Sequence, residues 1–227
     1  QAFLNVLGAV CDSPDEMRKA ARINLKYGAE VIKIMATGGV MSFGDDPKYS
    51  QFTYEEMKAA IDAANLRGKT TAAHAHGSEG IKIAVKAGIT SIEHGMLMDN
   101  ECIRLMAEHG TYLVPTIIAG KGIAEGEKYG LPGWMTEKAQ TVIENHYENI
   151  RKCKAAGIRI GFGSDAGVSF DFHGEQTKEA EYMQEAGLTP AEILIAATRT
   201  NAQMMQYDDR IGTLEAGKLA DFVAYNG

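Results

Sequence analysis

TYEEMKAAIDAANLRGKTTAAHAHG, the stretch Thr53–Gly77, decides the fold of this chain. Thr53 is a residue type whose hydroxyl accepts the free N–H groups of a helix start, and Glu56 three positions on completes a capping box. Met57, Ala60, Ile61 and Ala64 then recur at i, i+3, i+4 and i+7, which draws one apolar stripe along a helix. Gly68 follows, the residue that takes a left-handed helix end at least cost. Lys69–His74 is a short β-prone run. A helix, a glycine and a strand therefore come in immediate succession, and the strand delivers two histidines. His74 and His76, two residues apart on extended backbone, project to the same face.

The same unit repeats outward in both directions. Upstream, Ser13 suits an N-cap, Pro14 the first helical position and Glu16 the capping box. That helix runs to about Tyr27 and stops at Gly28, and Glu30–Ala36 (EVIKIMA) is the strand after it. Downstream, a helix opens at Ser78 and closes at Gly88, and Ile89–Glu93 is a strand ending at His94. A helix from about Asn100 to His109 ends at Gly110, and Thr111–Pro115 is the next strand. A long loop then carries Gly120, Gly122, Gly126, Gly130 and Gly133. Thr136–Ala156 is a long helix, Gly157 ends it, and Ile158–Gly163 is a strand that runs through Ser164 into Asp165. Alternating helices and strands with short connections require parallel strands and right-handed crossovers. An open doubly wound sheet and a (β/α)8 TIM barrel both satisfy this. No Gly-x-Gly-x-x-Gly follows any strand, which weakens the dinucleotide-binding sheet. Polar residues recur at successive strand ends, where a barrel places its active site. The expected class is α/β, in barrel form.

Beyond Asp165 the pattern changes. Gly174–Ala186 reads as a helix, and Thr189-Pro190-Ala191-Glu192 is a second capping box opening Ile193–Met205. Ile211–Tyr225 alternates turns and short strands, a small β appendage. Residues 1–206 are thus expected to form the barrel part and 207–227 the appendage, with Gln1–Val10 the end of a strand and a loop.

Composition narrows the function. The 227 residues carry a net charge of −7 and are 45% hydrophobic, enough for a sizeable core. Without a basic tract, a nucleic-acid partner is excluded. Cys11, Cys102 and Cys153 lie far apart and read as free thiols in a reducing compartment, so a cytoplasmic location is expected. No apolar run of about 18 residues marks a membrane span, and no leader is visible. The chain opens on Gln1 rather than Met, and the natural N-terminus is expected elsewhere.

The strand ends collect Lys33, His74, His76, His94 and Asp165. Imidazole and carboxylate are the ligands of catalytic zinc. A lysine is cationic at neutral pH and a poor ligand, unless carbon dioxide adds to its amine and makes an anionic carbamate. Each residue alone has a structural reading. A strand-end histidine is often a hydrogen-bonded core residue, Lys33 can snorkel from an edge, and Asp165 can cap a helix. Their joint placement at neighbouring strand ends argues for a site.

The motifs VIKIMATGGV (Val31–Val40), Gln51-Phe52-Thr53, AAHAHG, SIEHG (Ser91–Gly95) and GSDAG (Gly163–Gly167) together resemble the amidohydrolase superfamily, in its imidazolonepropionase-like and prolidase-like branch. ATRTNA (Ala197–Ala202) and GTLEAGKLAD (Gly212–Asp221) are similar to that superfamily's C-terminal helix and its return to a small β-sandwich domain. The resemblance implies barrel strands four to eight, with the N-terminal strands outside this sequence. It implies a carboxylated Lys33 bridging two zinc ions, His74 and His94 as metal ligands, and Asp165 as a ligand that also moves protons. His76 falls where the substrate carbonyl is polarised. The superfamily's first-strand His-x-His is absent, since His74 is the first histidine, so a longer natural chain is expected.

His173, in the loop Val168–Gly174, is a candidate contact for a substrate carboxylate. His109 and His146 read as structural, and Met96, Met98 and Met106 as packing. The loop Gly38–Gln51, with Ser42 and Tyr49, is expected either to cover the site or to order only with substrate. The implied activity is hydrolysis of an amide bond in a dipeptide or N-acyl amino acid by a metal-activated water, releasing a C-terminal Arg or Lys in preference to Pro. No acidic residue can be assigned from sequence to a guanidinium pocket. A homo-oligomer is expected by resemblance. A hydrolase of cyclic amides or xenobiotic esters, and a non-catalytic binding or assembly barrel, are the competing readings.

Overall fold

Helix α1 (Pro14–Lys26) begins where Ser13 Oγ accepts the Glu16 N–H at 3.3 Å. In this computed structural model, residues 8–39, 46–131, 133–168 and 171–224 are described. They fall into two units, Gln1–Thr111 and Tyr112–Gly227. In the first unit, β1 (Val31–Met35), α2 (Tyr54–Asn65), β2 (Thr70–Gly77), α3 (Ser78–Ala87), β3 (Ser91–Leu97) and α4 (Asn100–His109) follow α1. The expected capping box at α2 is closed: Thr53 N–H donates to Glu56 Oε2 at 2.8 Å and Glu56 N–H to Thr53 Oγ1 at 3.4 Å. The predicted stripe Met57, Ala60, Ile61 and Ala64 is buried throughout.

The strands β1, β2 and β3 lie side by side and parallel, in register Lys33↔Ala72, Met35↔His74 and His74↔Glu93. Alternation gives the sheet two faces. One carries Ile32, Ile34, Ala73, Ala75 and Ile92, all buried. Fully buried Met57, Ile61 and Ile81 on the helices each contribute about 2 kcal/mol. The other face carries Lys33, Met35, Ala72, His74 and His76. The strand β2 runs beyond the expected His74 to Gly77, so both histidines lie within it.

The second unit begins with β4 (Tyr112–Val114). It continues through α5 (Ile117–Ala124), a 3-10 turn (Gly126–Tyr129), α6 (Gly133–Ala155), α7 (Lys178–Glu185) and α8 (Pro190–Ile195). The helix α8 passes through a π turn (Ala196–Thr200) into α9 (Asn201–Met204). Several expectations are corrected here. The stretch read as a glycine-bearing loop contains α5, whose start is capped from outside: the Ile117 and Ile118 N–H groups donate to Glu179 Oε1 and Oε2 at 2.9 and 2.7 Å.

The expected strand Ile158–Gly163 meets β4 through one bridge, Leu113↔Ile160. Its Phe162 N–H is taken by the Asn201 side chain rather than by a neighbouring strand. The helix expected from Gly174 starts at Lys178, because Gly174 sits at φ +98°. The tail forms turns, with no strand among the described residues: Leu219 N–H bonds Arg210 O at 2.8 Å and Lys218 N–H bonds Glu215 O. Cys11, Cys102 and Cys153 are free thiols. No described helix is long and apolar enough to cross a membrane. The first seven residues of the run Gln1–Val10 lie outside the described residues, as does Ser42.

Candidate active site

His74 and His76 are both buried, and their ring centroids are 4.7 Å apart, edge to face. This is what the two-residue spacing predicts. His94 is different. It pairs at the Cα level with Ala75, so regular extended backbone would send its side chain to the helix-covered face, away from His74. Instead His94 has φ +72°, in the left-handed region, and the pairing of β2 with β3 slips between Ala75 and Gly77. The slip and the positive φ turn the imidazole onto the histidine face. Its ring centroid lies 4.7 Å from that of His74 and 5.0 Å from that of His76. A non-glycine residue in this conformation costs about 1–2 kcal/mol, and such strain gathers at functional positions.

The segment after β1 fastens to this cluster. Ala36 N–H donates to His74 O at 2.8 Å. His76 N–H donates to Thr37 Oγ1 at 3.0 Å, and the Thr37 hydroxyl donates to Gly38 O. A nitrogen of His74, Nε2, lies 3.4 Å from the same carbonyl. The returning end of the loop packs so closely on β2 that a Cβ at Gly77 would stand 2.3 Å from Lys48 O. Tyr49 of this loop is exposed. Lys33 lies on the histidine face, level with Ala72, and is exposed.

In the second unit, Asp165 is half-buried and also left-handed, at φ +68°. The chain then turns tightly: Val168 N–H bonds Asp165 O, Gly167 N–H bonds Asp171 O, and Asp171 N–H bonds Val168 O. His173 comes back over this turn. A Cβ at Gly167 would meet its Nε2 at 3.4 Å. His173 therefore lies close to the turn that follows Asp165. Behind it, Asn201 pins the approach to Asp165: Phe162 N–H donates to Asn201 Oδ1 at 3.0 Å, and Asn201 Nδ2 donates to Phe162 O at 2.8 Å.

Three residues escaped the sequence reading. Asp171, 2% exposed, has no hydrogen-bond donor to either carboxylate oxygen among the described residues. Burial, then the charge of Asp165, pushes its carboxyl above the usual range, against His173. Glu179 is fully buried at the start of α5, and burial pushes it up to about 8 despite its two backbone donors. Thr116, before α5, is left-handed at φ +47°. In sequence, Asp171 and Glu179 look like surface acids, and only the fold shows that they are buried. His146, read as structural, is fully buried with Nε2 at 2.9 Å from Pro115 O.

Imidazole and carboxylate, the side-chain groups of the three histidines and of Asp165, are donor types that zinc accepts. The three imidazoles pack as rings, and among the described residues no three His, Cys, Asp or Glu side chains already surround one point as metal ligands.

The profile described as "Amidohydrolase family" matches residues 2–227. The ochratoxinase of Aspergillus niger is 34% identical over 220 residues, which is 95% of this chain and 44% of that protein. An imidazolonepropionase of Streptococcus gordonii is 28% identical over 181 residues, 75% of this chain and 50% of that one. The crystal structure of a Xaa-Pro dipeptidase with methionine bound in its active site superimposes with a TM-score of 0.85. It is 44% identical, over 93% of this chain and 52% of that one. The chain is therefore α/β with a parallel sheet and corresponds to part of a (β/α)8 barrel. It spans about half the length of these relatives.

Proposed function

Because the chain belongs to the amidohydrolase family, we propose that the whole protein hydrolyses the amide bond of dipeptides or N-acyl amino acids and releases the C-terminal residue, Arg or Lys in preference to Pro. The observation that carries this reading is the convergence of His74, His76 and His94 on one face, obtained by a left-handed turn at His94. The dipeptidase among the similar structures supports a peptide-like amide as substrate.

In this reading Lys33, as its carbon dioxide carbamate, His74, His94 and Asp165 would hold two zinc ions. Zinc there would supply Lewis acidity, the chemistry that lowers the pKa of a water toward neutral. The protein's own groups do the rest. The Asp165 carboxylate takes the proton of the attacking water and returns it to the leaving amine as general acid. A ring N–H of His76 donates to the carbonyl oxygen as negative charge develops on it. His173 faces the substrate carboxylate. Free thiols suit a reducing compartment, and we place the protein in the cytoplasm.

The test is a substrate panel on the full-length protein, with Xaa-Lys, Xaa-Arg and Xaa-Pro dipeptides, N-acetyl amino acids and cyclic amides, read as release of amine. Turnover of the basic dipeptides ahead of Xaa-Pro supports the reading. Inert dipeptides alongside hydrolysed ring substrates would replace it with the cyclic-amide reading.

A further inference from the structure

A carboxylate set below the surface with no donor to either oxygen is costly as an anion, because nothing in the protein replaces the water it has lost. Asp171 is in that position: 2% exposed, both oxygens without a hydrogen bond among the described residues. It belongs to the turn that starts at Asp165, and its backbone holds that turn together through Gly167 and Val168. Its charged surroundings are Asp165 and Glu175, which repel it, and His173, which attracts it.

We propose that Asp171 is the specificity carboxylate of the site and receives the cationic end of a substrate side chain, the ammonium of lysine or the guanidinium of arginine. This rests on the dipeptide or N-acyl amino acid reading above and supplies the acidic partner that no residue could be given from sequence. Lysine and arginine carry their charge at the end of a long aliphatic stem, which lets the charged tip reach a carboxylate set below the surface. Phe172, next in the chain and 51% exposed, stacks edge to face with Tyr129 at 6.4 Å and offers apolar surface for such a stem. The ion pair would be desolvated on both sides, so removing one partner has a large effect.

The experiment compares peptides that differ in charge and little in shape: alanyl-lysine with alanyl-norleucine, and alanyl-arginine with alanyl-citrulline. Full-length wild type and Asp171→Asn are measured side by side. In wild type we expect the cationic member of each pair to be favoured in kcat/KM by about 30-fold or more, and Asp171→Asn to bring the two members within about threefold of one another. Equal treatment of both members by wild type, or a preference that survives in Asp171→Asn, would overturn the assignment while leaving amide hydrolysis in place. If no dipeptide is turned over, the functional reading fails separately. Binding then still decides: free lysine should raise the melting temperature of wild type more than norleucine does, and Asp171→Asn should erase that difference. Equal shifts in wild type would refute the proposal.

Discussion

A left-handed backbone at His94 and at Asp165 limits what can replace either residue. Asparagine visits this region readily, whereas β-branched residues do not. Asp165→Asn should therefore keep the fold, with unfolding stability within about 0.5 kcal/mol, while turnover falls about a thousandfold because Asn cannot carry a proton between water and amine. Denaturant unfolding and amine release on the same preparation check both halves. At His94, valine should cost about 1–2 kcal/mol more stability than asparagine, although neither is a zinc ligand of imidazole type.

His146 yields a pH prediction. Burial, opposed by its bond to Pro115 O, pushes the imidazole from the ordinary 6.5 down to about 4. Between those values the unfolded chain binds a proton that the folded protein refuses. The stability is then fully present above pH 6.5 and lost as pH falls toward 4, by about 3 kcal/mol. Unfolding free energies across that window should show the slope in wild type, and His146→Gln, which keeps a donor for Pro115 O, should flatten it. An unchanged slope in the variant would assign the acid sensitivity to other groups.

Elements place these residues, and two of the placements were not visible from local pattern. The helix–glycine–strand unit was legible because caps, stripes and terminators are short-range signals: Thr53 with Glu56, Thr189 with Glu192 and the stripe from Met57 to Ala64 all recur in the structure. The helix α5 was missed because Gly120 and Gly122 lower its intrinsic propensity, while its start is stabilised by Glu179, far along the chain. His94 was placed with His74 from its strand-end position, but the means was not legible: alternation along β3 points to the opposite face, and a register slip with a left-handed backbone overrides it.

The strand before Asp165 is also held by a distant residue, Asn201, whose amide bonds both backbone groups of Phe162. Asn201→Leu should leave those groups unsatisfied and cost about 2–3 kcal/mol. Because Asn201 acts through Asp165, kcat should fall more than KM rises, which steady-state kinetics will separate. A variant with full kcat and reduced stability would reduce Asn201 to a purely structural residue.

At the scale of the molecule, the chain covers about half of its relatives, and the candidate residues are divided between its units: Lys33, His74, His76 and His94 belong to the first, Asp165, Asp171 and His173 to the second. The sequence conveyed the barrel class because parallel strands with helical crossovers leave a repeating trace. It conveyed which histidines share a strand because side-chain alternation has a period of two. Burial of single acids such as Asp171 depends on contacts set by the whole fold and left no such trace.

The proposed function is metal-assisted hydrolysis of a small amide. Dipeptide turnover by the full-length protein, stripped with chelator and then titrated with zinc in the presence of bicarbonate, tests this most directly. The account predicts no amine release from stripped protein and recovery that saturates at about two equivalents of zinc per chain. Full turnover by the stripped, folded protein would contradict it.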